Sequence, residues 1–291
     1  MPKITKAIIT AAGYGTRFLP ATKVQPKEML PIIDKPIIQY LVEEAVASGI
    51  TDIIIVTRAG LHSLEDHFDS AFEIEHQLEK NGKTELLGQL RALPKMANFI
   101  YLRQTKDLPY GNGSPLLAAK HLIAKGEAFV YMFGDDLVKA KVPATRQLIR
   151  SYNKFNAKAA LAVQEIPWEE TIRYGTVEYK KGTKQYQITK LLEKMPQDKA
   201  PSNMASYGRY VLSDQVITEL ENTPLGKGNE LWLPDAINRL AKKAKVIAAP
   251  IDGKWLTTGD PLRYMKAMVE FALERKDIGP EFIDYLKTLK L

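Results

Sequence analysis

Cysteine is absent from the 291-residue chain, which excludes disulfide scaffolds, thiolate metal sites and cysteine nucleophiles. Histidine is nearly as scarce, with four copies at positions 62, 67, 76 and 121. His62 and His67 are five apart, the wrong spacing for two ligands on one helical face, and both read as surface residues. No apolar run approaches the ~18 residues needed to span a bilayer, so no membrane partner is expected. The opening Met1-Pro2-Lys3-Ile4-Thr5-Lys6 carries no cleavage-type segment, and the expected location is the cytoplasm. Internal repeats, low-complexity tracts and a Gly/Ser/Pro-rich linker are also missing, so residues 1–291 are expected to form a single domain. A dense block of one charge is lacking too. The 41 basic and 34 acidic residues leave +7, yet Lys and Arg are spread along the whole chain. The one short run, Lys242, Lys243 and Lys245, reads as solvated surface. This distribution argues against a nucleic-acid partner and suits small polyanionic substrates.

What is present is an ordinary apolar fraction of 45%, arranged first as strands alternating with helices. Ala7-Ile8-Ile9-Thr10, Ile53 to Val56, Phe99 to Leu102 and Phe129 to Phe133 read as buried strands. Ile37 to Ser48 and Ser114 to Ala124 read as helices. Such alternation predicts an α/β fold, a Rossmann-like, mostly parallel mixed sheet flanked by helices. Ligands then belong at the carboxyl ends of the strands. After about Ala159 the pattern becomes short strands: Ala159 to Val163, Thr176 to Tyr179, Ile188 to Glu193 and Tyr207 to Leu212. These predict a small antiparallel portion laid on the same sheet. The C-terminus returns to helices, with Leu262, Met265, Val269 and Ala272 at helical spacing and Phe282, Tyr285, Leu286 and Leu289 repeating the pattern. Both stripes are expected to pack on the core, with a subunit contact as the alternative.

The first strand runs into Ala11-Ala12-Gly13-Tyr14-Gly15-Thr16-Arg17. Glycines directly after a strand let backbone N–H groups approach phosphate oxygens. A dinucleotide fingerprint would need a third glycine and a helix opening from the loop; Phe18 and Pro20 exclude it, and no P-loop Gly-Lys-Ser/Thr is present. The continuation to Pro26-Lys27-Glu28-Met29-Leu30-Pro31 supplies two permanent cations, Arg17 and Lys27, that can sit on a bound triphosphate. A second chemical element is Gly134-Asp135-Asp136, just beyond the strand Phe129 to Phe133. Carboxylates there suit Mg²⁺, which prefers one or two of them plus phosphate oxygens.

Gly13-Tyr14-Gly15-Thr16-Arg17, then Leu19-Pro20, then Pro26 to Pro31 resembles the signature of sugar-phosphate nucleotidylyltransferases (GT-A-like folds). Further elements of that family follow in order from residue 6 to 290. The resemblance implies the following roles. Ala11, Ala12, Gly13, Gly15 and Thr16 cradle the nucleotide, and Arg17 and Lys27 neutralise its phosphates. Gln104 with Gly111 and Gly113 faces the base. Asp135 binds Mg²⁺, and Asp136 supports it or contacts the nucleotide. Gly175 in Tyr174-Gly175 and Glu193 in Leu192-Glu193-Lys194-Met195-Pro196 meet the sugar, and Lys194 grips the sugar phosphate. The nucleotide-binding half is about 1–158, the sugar-phosphate half about 159–260, and C-terminal helices fill 261–291. The resemblance is strongest to uridylyltransferases. It implies UTP and glucose 1-phosphate as substrates, Mg²⁺ as cofactor, and a homodimer or homotetramer. A different base such as dTTP, another sugar phosphate, or a non-catalytic sugar-nucleotide-binding regulator are the alternatives.

Three positions depart from the family pattern. Gly111-Asn112-Gly113-Ser114-Pro115 stands where Gly-x-Gly-His-Ala is usual, and Leu231-Trp232-Leu233-Pro234-Asp235 where Gln-Leu-Thr-Asp is usual. In Trp255-Leu256-Thr257-Thr258-Gly259-Asp260, Thr257 occupies the place of a second metal carboxylate. A hydroxyl is the weaker Mg²⁺ ligand, so either Asp260 swings in or Asp135, phosphates and water suffice. Asp260 before Pro261 also reads as a helix N-cap.

Overall fold

A computed structural model describes residues 3–183 and 186–289. In chain order its first half holds β1 (Lys6–Ala11), a short ribbon of β2 (Pro31–Ile32) and β3 (Lys35–Pro36), α1 (Ile37–Ala47), β4 (Asp52–Thr57), α2 (Ser63–His67), α3 (Phe72–Lys80), α4 (Thr84–Ala92), β5 (Asn98–Arg103), α5 (Ser114–Ala119), β6 (Ala128–Phe133), β7 (Asp136–Lys139) and α6 (Ala144–Phe155). The second half holds β8 (Ala159–Glu165), β9 (Gly175–Tyr179), β10 (Ile188–Glu193), β11 (Met204–Ser213), α7 (Gln215–Glu221), α8 (Leu233–Ala241), β12 (Val246–Pro250), β13 (Lys254–Thr257), α9 (Pro261–Ala272) and α10 (Gly279–Thr288).

The β-branched runs of the first half form the centre of a nine-stranded sheet, seven of whose strands run in the order β10-β9-β11-β6-β1-β4-β5, with β8 joined to β11 and β12 to β8. β1 pairs in parallel with β4 and β6, and β4 with β5. A strand covered on both faces needs an apolar run, not alternation, and Ala7, Ile8 and Ile9 are all fully buried. Successive side chains of these strands point to opposite faces. Ile9 and Ile55 therefore join the core under α1, α6 and α9, while Ile8 and Ile54 join the one under α5, α7 and α8. The expected antiparallel portion lies in the same sheet: β11 pairs antiparallel with β6, β8 and β9, and β9 with β10. No helix among the described residues is long and apolar enough to cross a membrane.

The helix expected over Ser114 to Ala124 ends earlier, giving way to a 3₁₀ turn at Lys120–Leu122. His67 is half-buried, its Nε2 3.0 Å from Gln39 Oε1, and is not a surface residue. The core reading of the two C-terminal stripes holds at Ala272, which is 6% exposed, and is corrected at other positions. Leu262 and Met265 are 60% and 65% exposed, and Tyr285 is 57% exposed. α9 instead turns Ala267, Met268 and Phe271 toward the sheet. Small Ala267 permits that close approach, and the Ile33 amide and Pro31 carbonyl of the β2–β3 ribbon meet Met268 and the Tyr264 hydroxyl.

Candidate active site

The parallel strands end level, with Ala11 opposite Thr57 and Thr57 opposite Arg103. Their following loops therefore converge on one edge of the sheet. Two connected cavities open there. One, of about 320 Å³, is walled by Ala12, Gly13, Lys27, Glu28, Gln104 and Gly111, among others. The other, of about 710 Å³, is walled chiefly by the second half, including Tyr174, Gly175, Glu193, Lys194 and Tyr207. Arg17, Asn112, Phe133, Asp135 and Trp232 border both. The residues read from the sequence thus fall into two lobes that meet at Asp135 and Arg17.

In the smaller lobe the glycine loop is shaped from within. Gly15 is left-handed (φ 63°), and its carbonyl accepts from Thr22 Oγ1 at 2.7 Å. Gly13 has open space where a Cβ would stand, leaving its backbone accessible. Gly111 (φ 134°) is required by packing, because a Cβ would come within 2.3 Å of the Leu231 carbonyl oxygen. Ala11 is buried in β1, Thr16 opens a 3₁₀ turn, and Gly113 packs on Leu231, so these residues with Gly15 shape the lobe from behind its surface.

Lys27 pairs with Asp135 and stands 3.9 Å from Glu28. Burial alone would lower the Lys27 pKa, but Asp135 and Glu28 raise it. Burial pushes Asp135 upward, yet the Lys27 ammonium outweighs it and holds this carboxyl below its ordinary value. Glu28 behaves oppositely: its side chain is 1% exposed, Oε2 has no hydrogen-bond partner among the described residues, and burial pushes its pKa up to about 7. Lys27, bonded to Asp135, offsets the burial of Glu28 only in part.

Asp135 and Asp136 differ sharply despite being adjacent. Asp136, at the start of β7, is 6% exposed. Its Oδ1 accepts from Trp255 Nε1 at 2.7 Å, and its Oδ2 from the Gly208 amide at 2.9 Å. Burial and the neighbouring Asp135 raise its pKa. Fully buried Arg209 donates to the Asp136 carbonyl at 2.6 Å and to both Glu44 oxygens at 2.9 and 3.0 Å. The Asp135 carbonyl accepts from Thr258 Oγ1 at 2.9 Å, leaving its carboxylate toward the lobes. Arg17 Nη1 donates to the Gly259 carbonyl at 3.1 Å and borders both lobes.

In the larger lobe Lys194 directly follows β10 in the left-handed region (φ 52°), uncommon for a non-glycine residue and characteristic of functional positions. Its ammonium lies 5.2 Å from the centroid of the Trp232 ring. Burial raises the pKa of neighbouring Glu193, and Gly175 leaves the room its Oε2 needs. Asp260 caps α9: Oδ1 accepts from the Arg263 amide at 3.0 Å and Oδ2 from Arg263 Nη1 at 2.9 Å. Among the described residues no group of three His, Asp or Glu gathers to hold a metal ion.

Sequence reasoning assigned no role to Glu28, Trp232, Trp255 or Arg209. Glu28 and Arg209 lie inside stretches quoted above, so their mixed charge within apolar surroundings was the available signal.

The chain belongs to the nucleotidyl transferase family, whose model matches residues 6–274. It is 43% identical over 290 residues to the UTP–glucose-1-phosphate uridylyltransferase of Bacillus subtilis, covering 99% of this chain and 98% of that one. A UDP-glucose pyrophosphorylase from Acinetobacter baumannii superposes with a TM-score of 0.90 at 36% identity, over 99% of this chain and 100% of that one. A UTP-bound enzyme of that kind from the same organism gives 0.89 at 36% identity, with coverage of 99% and 100%.

Proposed function

We propose that this chain transfers the uridylyl group of UTP to glucose 1-phosphate, giving UDP-glucose and pyrophosphate. The carrying observation is the pair of lobes that meet at Asp135 and Arg17, in a chain similar throughout to enzymes bearing that name. UTP occupies the smaller lobe, with its triphosphate over Gly13 and Gly15 and its base edge at Gln104. Buried Glu28 forms part of the wall of that lobe. Glucose 1-phosphate occupies the larger lobe, its sugar against Gly175 and Glu193 and its phosphate on Lys194. A division near residue 158 is supported by the lining of the smaller lobe, which draws only Glu230 and Trp232 from beyond it.

The sugar-phosphate oxygen attacks the α-phosphorus of UTP in line, and the bond to the β-phosphate oxygen breaks, releasing pyrophosphate. The attacking oxygen is an anion near neutral pH, so no general base is needed, and no histidine lines either lobe. Catalysis reduces to alignment and charge neutralisation. Arg17 and Lys27 hold the triphosphate from one side, and Lys194 brings the attacking phosphate from the other. Asp136, pinned by Trp255, Gly208 and Arg209, keeps the Asp135 backbone rigid at the junction.

Asp135 fits Mg²⁺ as a single carboxylate beside substrate phosphates; both Asp260 oxygens are committed to Arg263. Once bound there, Mg²⁺ would supply positive charge between the two sets of phosphates. The exposed apolar residues of α9 and α10 support self-association as a dimer or tetramer, which light scattering would measure. The substrates support a cytoplasmic location, with no nucleic-acid partner.

Pyrophosphate release across a panel of triphosphates and sugar phosphates, with and without Mg²⁺, tests the reading. UTP with glucose 1-phosphate should be fastest and should require the metal. A preference for dTTP would reassign the base. Tight UDP-glucose binding without turnover would make the chain a regulator.

A further inference from the structure

Two large aromatic residues stand exposed at the rim of the smaller lobe. Tyr14, between the two glycines of the phosphate loop, is 59% exposed, and Tyr110, immediately before Gly111, is 54% exposed. Their rings stack with centroids 6.1 Å apart and 20° between planes. Beyond Tyr14 lies Arg58, whose guanidinium carbon is 5.2 Å from the Tyr14 ring centroid. The Arg58 Nε is enclosed without a hydrogen-bond partner. The three residues come from the loops after β1, β4 and β5, which converge because those strands end in register.

The stack is fixed from both ends. The Tyr110 carbonyl accepts from the Leu231 amide at 2.7 Å, and the Gly113 amide donates back to the Leu231 carbonyl at 3.0 Å. On the other side, the Gly15–Thr22 hydrogen bond holds the chain that follows Tyr14. Two tyrosines held this way leave much apolar area in water. Tyr110 also stands in the wall of the smaller lobe beside Gln104 and Gly111. Every nucleobase has a π-face, and an ordered aromatic ring beside a base-edge reader offers it a platform.

We infer that Tyr110 is a nucleobase-stacking residue, and that Tyr14 and Arg58 are positioning residues that hold its ring in place. This rests on the reading of the smaller lobe as the nucleotide site. The stack deepens that reading by assigning the base, not the triphosphate, to the Tyr110 end.

UTP and inorganic tripolyphosphate, which lacks the base, are titrated by calorimetry into the wild-type chain and into Tyr110→Ala, Tyr14→Ala, Tyr110→Phe and Tyr14→Phe. Both alanine variants should bind UTP about tenfold more weakly, the range found when a stacking ring is removed, with tripolyphosphate affinity unchanged. Both phenylalanine variants should bind UTP as the wild type does, which also shows that the sites tolerate substitution. Unchanged UTP binding in Tyr110→Ala overturns the stack. So does a parallel loss of tripolyphosphate, because the substitution would then have merely disturbed the glycine loop. If the wild-type chain bound UTP no more tightly than tripolyphosphate, the lobe would not be a base site and the nucleotide reading itself would fall.

Discussion

Glu28→Gln is expected to stabilise the free protein at neutral and alkaline pH. Burial raises the Glu28 pKa from 4.5 to about 7. Between those values the folded chain holds a proton that the unfolded chain has released, so stability falls as pH rises. The favourable contribution is complete below about pH 4.5 and gone above about pH 7. A shift of 7 minus 4.5, at about 1.36 kcal/mol per unit, amounts to about 3 kcal/mol across that window. The amide of the variant does not titrate. The stability difference between variant and wild type should therefore move in the variant's favour by that amount from acid to pH 8. At roughly 2 °C per kcal/mol for a chain of this size, the gain in Tm is about 6 °C. Thermal unfolding of both proteins at pH 4.5 and pH 8, without nucleotide, measures it, because all other titrations cancel in the difference. An equal Tm difference at both pH values would refute the argument that Glu28 is a buried, poorly compensated carboxylate.

Lys194→Ala should lose about 10²–10³ in turnover, the scale of one lost electrostatic contact to a reacting group, with Tm unchanged because this side chain is exposed; steady-state pyrophosphate assays and melting curves check both. Arg209→Leu should cost about 3–5 kcal/mol in urea unfolding, because Glu44 would be left as an uncompensated buried charge. Thr257→Asp should lower the Mg²⁺ concentration needed for half-maximal rate, since it adds a carboxylate beside Asp135; a metal titration at saturating substrates would show no change if Thr257 does not face the metal.

The parallel half of the fold was legible because Ala7 to Thr10, Ile53 to Val56 and Phe129 to Phe133 are local apolar runs, and a strand buried on both faces leaves no other pattern. Helices α6 and α8 lie outside the elements read from the sequence, although Leu233, Ala236, Ile237 and Leu240 are spaced for one buried face. For the candidate site, the glycine loop and Asp135 stand out as short contiguous motifs whose residue types limit the chemistry, whereas Lys194 is singled out only by the family resemblance. What the sequence by itself determined is therefore what neighbours along the chain decide: which segments extend, where glycine is tolerated, which stretches carry cations or carboxylates. Only the tertiary structure decided which of two adjacent aspartates turns its carboxylate to Lys27 and the cavities. Asp136 is captured by Trp255, 119 residues away, and its carbonyl by Arg209, which itself reaches Glu44 across 165 residues. Periodicity likewise marked α9 as amphipathic, but which face met the sheet depended on the ribbon near Pro31 and Ile33. The Lys27–Asp135 pair spans 108 residues. Such pairings follow from where the folded sheet brings strand ends together, a non-local outcome that no window along the chain contains.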